Sequence, residues 1–462
     1  MSTRVFDNMR DWLAHLAATN RVAVIRDGVS LEFELAAIAK RLDGVKATFF
    51  PHPGGHEIPV VSGFIANRAW IAEALGVSER DLLHHVRHAV DNPVPWREVS
   101  RDDAPAQQVE HDHVDIRTLL PIPRHNEHDS APYISAGLVI ARNPKTGVQN
   151  VSINRIQVNA ADRMGVLILP RHLHAFQQAA EAAGEPLPVA IVIGASPAAL
   201  LASQAVLPID HDELTVAGAL EGRPLQVVKC KTSEVRVPAQ AEIVIEGRVL
   251  PDVREPEGPF GEFPKYYSPQ EKREVIAIDR VTHRRNPIYH TIVPAAMEHL
   301  LLGGIPREAT LLAHLKRSFP NVTDVHLAVG GVCRYHLYVQ MKKTREGEPK
   351  NVIMGAFGGH YDIKQVIVVD EDVDVHDPEQ VEWAVATRFQ PDRDMLVASD
   401  ALGSILDPST TRGIGAKWGL DATRPLVYEG LSFTKIRIPG EESVDLGRVV
   451  VGDTSALDAY LQ

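Results

Sequence analysis

Seven short segments rich in valine and isoleucine lie between residues 134 and 293: ISAGLVIA (134–141), VSINRIQV (151–158), VAIVIGA (189–195), LQVVKC (225–230), AEIVIEGRV (241–249), EVIAIDRVTH (274–283) and NPIYHTIV (286–293). Strands this short and closely spaced bury their faces against one another, which predicts a barrel or a sandwich. NPKTG joins the first two as a hairpin loop. Pro170 opens a helical run, HLHAFQQAAEAAG, that Gly184 ends, and Ser196-Pro197 offers an N-cap and first-turn proline for another helix. Ahead of this section, 8–19 predicts an amphipathic helix with Met9, Trp12, Leu13 and Leu16 on one stripe, 22–26 a strand, 31–42 a helix and 69–89 two short helices. After about residue 306 helix and strand alternate. The expected fold class is mixed α/β in three domains: an N-terminal α/β unit at 1–110, a strand-rich domain at 111–310 and a second α/β domain at 311–462.

Composition removes several function classes. Lys and Arg number 48 against 60 Asp and Glu, a net charge of −12, and this acidity argues against a nucleic-acid binder that neutralises phosphates along its surface. No run of about 18 apolar residues exists to span a membrane, and MSTRVFDNMRDWLAHLAA lacks the apolar core of a secretory signal. Two cysteines, Cys230 and Cys333, cannot build a disulfide framework or a Cys-rich zinc site. The expectation is a cytoplasmic protein with no membrane and no nucleic-acid partner.

Common catalytic signatures are missing: no Walker loop, no GxGxxG between strand and helix, no GxSxG and no HExxH. HDH at 111–113, with His125 and His128, offers a metal cluster or, more simply, surface and hydrogen-bonding groups; His84, His85 and His88 read as solvated or packed.

The sharpest segment is EPEGPFGEFPKYY (255–267), where glycine and proline set a loop around Glu257, Phe260 and Glu262. Two carboxylates on one rigid loop serve metal binding or proton transfer, or are simply the exposed acids of a turn. In NVSINR (150–155), Asn150 and Ser152 share a strand face, and strict alternation puts Arg155 on the other, so all three converge only across a bulge or bend. If buried, Arg155 needs a carboxylate that Glu257 or Glu262 can supply; otherwise it points to water from an edge strand. His172 in LPRHLH and Glu213 in DHDELTVAGAL join Asn150 as possible ligands of a hard or borderline divalent ion, Mn²⁺ or Mg²⁺, that also holds a phosphate.

NVSINR, LPRH, DELTVAGAL, EGPFGEF and KQVIVVDEDVDVHD, in this order, with LPIPRHNEHDSAPYISAGLVI before them and KWGLDATRP after, resemble the UbiD-like family of prenylated-flavin-dependent (de)carboxylases along most of the chain. The resemblance implies an FMN-binding split β-barrel between the α/β units, with a C-terminal domain that dimerises, and an active site between domains. It implies prenylated FMN made by a separate flavin prenyltransferase and contacted at Asn150, Ser152, Ile153, Arg155, Arg171 and His172, with Lys364 matching the family's phosphate lysine only approximately. Mn²⁺ would be held by Asn150, His172 and Glu213, and K⁺ at Ala202, Ser203 and Ala205. Glu257, Arg155 and Glu262 match the family's catalytic network, with Glu262 as proton donor. The implied reaction removes CO₂ from an unsaturated carbon through a covalent adduct with the cofactor.

For the substrate, MEHLLLGGIPRE carries His299 and Arg307, and GGVCRYHLYV carries Arg334. Two arginines and a histidine suit a second carboxylate retained while the first is lost, as in the family's furan-2,5-dicarboxylate decarboxylases. Interdomain salt bridges explain the same residues. Other substrates in view are a heteroaromatic monoacid of the pyrrole-2-carboxylate type and a polyprenyl hydroxybenzoate; a non-enzymatic alternative is a storage protein for prenylated flavin. The expected assembly is a homodimer or a larger homo-oligomer such as a hexamer.

Overall fold

A computed structural model of the chain describes residues 6–450, 452–458, 460 and 461. The N-terminal unit sets helices α1 (Met9–Ala18), α2 (Glu34–Arg41), α3 (Arg68–Ala74) and α4 (Leu82–Asp91) around strands β1 (Val22–Val24), β2 (Ala47–Phe50) and β3 (Val60–Ser62). Asn8 caps α1 by accepting from the Asp11 N–H, and Met9, Trp12 and Leu16 are its buried face.

The middle of the chain forms a nine-stranded sheet from β4 (Val109–His111), β5 (Tyr133–Ile134), β6 (Leu138–Arg142), β7 (Gln149–Ile153), β8 (Ile156–Val158), β9 (Arg163–Val166), β10 (Leu187–Ile193), β11 (Ile243–Glu257) and β12 (Glu271–His283). The order is β5-β8-β9-β12-β11-β10-β6-β7, with β4 added to β12. β7 ends the sheet and β8 lies next to its opposite end, yet only Asn154 and Arg155 separate them in sequence. So short a link reaches roughly 10 Å, so the sheet curls until its ends nearly meet. The result is a split barrel, and Arg155 stands in the split.

Two expected strands take other places and a third is longer than expected. NPIYHTIV is reduced to β13 (Tyr289–His290), which leaves the barrel and pairs parallel to β3 in the N-terminal sheet. LQVVKC contributes Gln226–Lys229 to a small sheet with Arg97–Glu98 and Arg236–Pro238. AEIVIEGRV continues past 249: across a register shift between Val249 and Arg254, β11 runs on to Glu257, forming with β12 a long ribbon.

Helices α5 (His172–Ala182), α6 (Pro197–Ala202) and α7 (Glu213–Glu221) accompany the barrel, and α8 (Met297–Ser318) leads into the C-terminal domain. The limits expected at 110 and 310 fall inside β4 and α8. The C-terminal sheet has order β14-β15-β16-β18-β17, from β14 (Val322–Leu327), β15 (His336–Met341), β16 (Gln365–Asp370), β17 (Met395–Leu402) and β18 (Ile414–Asp421). Helix α9 (Glu348–Gly359) packs on β16 and β18. Beyond Asp421 there is no further strand among the described residues, and Val427, Leu431 and Ile436 are almost fully exposed.

Candidate active site

Arg155 escapes the alternation of its neighbours because the strand stops at Ile153 and restarts at Ile156. Freed from the pleat, its buried guanidinium reaches the tip of β11 and the loop beyond. Nε and Nη2 donate to the two oxygens of Glu257 at 2.9 and 2.7 Å. Nη1 donates to Glu262 Oε1 at 2.5 Å and to Ser268 Oγ at 2.7 Å. The Phe260 ring lies 5.4 Å from the guanidinium carbon.

The two carboxylates are held unequally. Glu257 is fully buried, takes the bidentate bond, and accepts from the Tyr133 hydroxyl at 3.2 Å. The Gly258 N–H is held by Gln157 Oε1 at 2.9 Å. Glu262 meets Arg155 through one oxygen only, and burial pushes its carboxyl above the ordinary range against the pull of Arg155. A raised carboxyl is the direction of shift that suits a proton donor. The loop read from its glycines and prolines closes as a two-stranded ribbon, Phe260–Gly261 against Tyr267–Ser268.

On the barrel face of β7, Asn150 is buried and its Nδ2 has no partner, a donor that a phosphate oxygen would satisfy. The next residue, Val151, donates its N–H to Glu213 Oε2 at 2.7 Å, so the start of α7 lies against β7. Asp212 caps that helix. Glu213 is buried without a cation, and burial pushes it up to about 8. His172, in the first turn of α5, lies within electrostatic reach of Asp210 and His211, and burial followed by Arg171 lowers it toward the neutral, ligating form. Amide, imidazole and carboxylate make a donor set that fits a divalent cation. Among the described residues no group of three or more His, Cys, Asp or Glu side chains is arranged for a metal, and this set contains only two such residues. His111 instead meets His283 at 2.9 Å, and His125 meets Thr291 Oγ1 at 2.8 Å.

The remaining expected contacts fall as follows. Ser152 Oγ donates to Asn154 Oδ1, and Ile153 is half-buried. At the end of α6 the Ala202 carbonyl accepts from the Ala205 N–H and the Ser203 carbonyl from the Gln204 side chain. Lys364 is engaged with Asp407 Oδ2 at 2.8 Å and Ser409 Oγ at 2.6 Å.

His299, Arg307 and Arg334 do come together; none forms an ion pair among the described residues, and the acid in electrostatic reach of both arginines is Asp362. Arg334 donates to the Leu300 and Cys333 carbonyls at 3.0 and 2.9 Å, and its guanidinium occupies the space beside Gly303, where a Cβ would sit 1.6 Å from Nη2. Arg307, one helical stretch further along α8, turns back to the Gly303 carbonyl and directs Nε at His360 Nε2, 3.4 Å away. Arg171 reaches the same region through the Tyr361 hydroxyl at 3.1 Å. Burial and then Arg334 bring Arg307 down to about 9, and burial, Arg334 and Arg307 bring His299 down to about 3. His360 also falls to about 3 through burial and the surrounding cations, Lys417 among them. The His299 ring accepts the Ala295 N–H on Nδ1, which leaves Nε2–H as a donor.

Phe263 joins the two halves. It follows Glu262 in the chain, its ring lies 5.3 Å from the Arg334 guanidinium carbon, and His299 and Tyr335 pack on it at 6.3 and 5.6 Å. His360, Lys417, Tyr133, Gln157 and Ser268 escape sequence reasoning, since only folding brings them here.

A concavity of about 710 Å³ lies elsewhere, between the β6–β7 hairpin, the end of α5 and residues 229–235. The chemistry sits where polar groups converge, which volume alone does not identify.

Three family models match consecutively: the N-terminal domain of 3-octaprenyl-4-hydroxybenzoate carboxy-lyase at 13–90, its Rift-related domain at 97–297 and its C-terminal domain at 300–422. An anhydromevalonate phosphate decarboxylase of Methanothermobacter thermautotrophicus is 41% identical over 426 residues, 90% of this chain and 97% of that protein. The UbiD-class enzyme HmfF of Pelotomaculum thermopropionicum, solved with FMN, superposes with a TM-score of 0.94 at 48% identity, covering 96% of this chain and 100% of that one. The apo 3,4-dihydroxybenzoic acid decarboxylase AroY of Klebsiella pneumoniae gives a TM-score of 0.89 at 30% identity over 96% of this chain and 99% of its own.

Proposed function

The chain belongs to the UbiD family of carboxy-lyases, and we propose that it catalyses reversible, non-oxidative decarboxylation of furan-2,5-dicarboxylate to 2-furoate. The observation that carries this reading is a cluster of buried cations, Arg307 and Arg334 with Lys417, that outnumbers the buried acid in its reach, Asp362, and lies beside Glu262, the acid able to deliver a proton. Prenylated FMN, when bound, supplies the electron sink that loss of CO₂ from an unsaturated carbon requires. Asn150, Ser152, Ile153, Arg155, Arg171 and His172 are the residues to hold it, with Lys364 available to its phosphate only on leaving Asp407. Asn150, His172 and Glu213 suit Mn²⁺ or Mg²⁺, and Ala202, Ser203 and Ala205 suit K⁺ through backbone oxygens.

The chain's own residues divide the work. Arg307 and Arg334 bind the retained carboxylate, and His299 donates from Nε2. Their attraction orients the other carboxylate toward the side where Glu262 stands. Glu262 gives its proton to the carbon that loses CO₂, while Arg155 receives the resulting charge and Glu257 keeps Arg155 in place. The exposed apolar side chains after residue 424 support self-association as a dimer or larger assembly. A flavin prenyltransferase supplies the cofactor. No helix among the described residues is long and apolar enough to cross a membrane.

A second reading has its own support: the 41% identical relative is named for an acid bearing a phosphate, and a phosphate monoester answers the same cations. The test is steady-state turnover of furan-2,5-dicarboxylate, 2-furoate and anhydromevalonate phosphate by protein loaded with prenylated FMN. Preference for the dicarboxylate over the monoacid by about 10²-fold, reduced by Arg307→Ala, is expected. Equal kcat/KM for dicarboxylate and monoacid, unmoved by Arg307→Ala, removes the second-anion reading. Faster turnover of the phosphate ester moves the assignment to the second reading.

A further inference from the structure

The segment RHNEHDSAPY (124–133) carries histidines that form no metal cluster, and the proton transfer assigned above makes no use of it beyond Tyr133. In the fold it is wrapped around the acid-bearing loop. Ser130 N–H donates to the Pro259 carbonyl at 3.0 Å. His128 N–H donates to the Tyr267 hydroxyl at 3.3 Å. At the centre is Asp129, fully buried and in no ion pair among the described residues. Its Oδ1 accepts the N–H of Gly261 at 2.8 Å. Its Oδ2 accepts the N–H and side-chain amide of Asn126 at 2.9 and 3.3 Å. Asn126 in turn closes on the same glycine: a Cβ at 261 would lie 2.4 Å from its Nδ2.

A buried carboxylate facing only amide donors is an unusual investment for a turn, because hydrophobic or neutral polar residues close a turn without desolvating a charge. What it achieves here is a fixed position for the residue before Glu262. We infer that Asp129 is a positioning residue, pinning Gly261 so that Glu262 meets Arg155 through one oxygen and presents its carboxyl to the substrate. The inference rests on Glu262 being the proton donor. Loss of the pin leaves substrate binding at Arg307 and Arg334 untouched and lowers the fraction of time Glu262 spends aimed at its target.

The experiment has a readout that needs no turnover. Amide hydrogen exchange of the full-length protein, followed by mass spectrometry on the peptide covering 257–263, should be at least tenfold faster in Asp129→Ala than in wild type. Asp129→Asn keeps one acceptor and should fall between them. Peptides from β10 should not change. Unchanged exchange at 257–263, or faster exchange everywhere, overturns the inference. In protein loaded with prenylated FMN and assayed on furan-2,5-dicarboxylate and anhydromevalonate phosphate, Asp129→Ala should lower kcat 10- to 100-fold with KM within twofold. Gly261→Ala should do the same by displacing the loop from the other side, and Asn126→Ala in that background should restore activity by making room for the methyl. A KM effect alone, or no rescue, overturns it. Full activity of Glu262→Gln would remove the donor assignment while leaving the exchange result standing, so the two failures are distinct.

Discussion

Around the candidate site, buried arginines are held under opposite terms. Arg155 is held between two carboxylates, with donors from both ends of its guanidinium assigned. Arg307 and Arg334 are as deeply buried, but their donors go to backbone carbonyls and to a histidine. An ion pair closed within the protein recovers in attraction what desolvation takes away, whereas a buried cation facing only dipoles does not. The first site is closed by its own carboxylates, whereas the second has Asp362 in electrostatic reach but no ion pair from either arginine among the described residues, an arrangement the proposed anion would complete.

The comparison breaks most sharply at the donor itself. Glu262→Gln keeps the shape and removes the acid, so kcat should fall about 10³-fold with flavin retention unchanged by absorbance. Next come the arginines. Arg155→Met strands Glu257 in the interior and should destabilise the protein by about 3–5 kcal/mol in urea unfolding. Arg307→Met breaks no ion pair and leaves Asp362 with Arg334 and Lys417, so it should be neutral or stabilising in the same experiment, while weakening dianionic substrates. Equal destabilisation by both substitutions would end the contrast.

The smallest effect is in pH. His299 and His360 have folded values near 3 against an ordinary 6.5. Below 6.5 the unfolded chain binds protons that the folded chain refuses, so their contribution is present above 6.5 and is lost as pH falls toward 3. The urea midpoint should drop between pH 7 and 5, and His360→Gln should shallow that drop. Arg307 carries the same sign at the alkaline end: its penalty is relieved only as the pH rises past its folded value near 9.

The barrel was readable because short β-branched runs and a hairpin loop announce themselves locally. Its split was not, because pairing order is nonlocal: nothing in VSINRIQV says that its two halves lie at opposite ends of one sheet. The same break explains Arg155. Alternation alone turned it away from Asn150, and the bend that the chemistry required is the jump between β7 and β8. Glu257 and Glu262 were legible as a pair, but their inequality depends on Tyr133, Gln157 and Asp129, which come from strands and turns far away in sequence. His360 and Lys417 were invisible for a related reason. A histidine or lysine becomes notable only when folding leaves it among like charges. NPIYHTIV reads like its barrel neighbours, but its backbone is claimed by β3.

Gly303 has a consequence at the level of the gene. Arg334 can lie against α8 only because residue 303 has no side chain. Every glycine codon is one base from an alanine codon, so the place of Arg334, and with it the recognition proposed for a doubly charged acid, stands a single nucleotide from being lost. Two positions 31 residues apart in sequence are thereby tied into one heritable choice. In relatives that carry any larger residue at the place of Gly303, the place of Arg334 should have surrendered its arginine, and a lineage moving toward uncharged substrates would be expected to change 303 first.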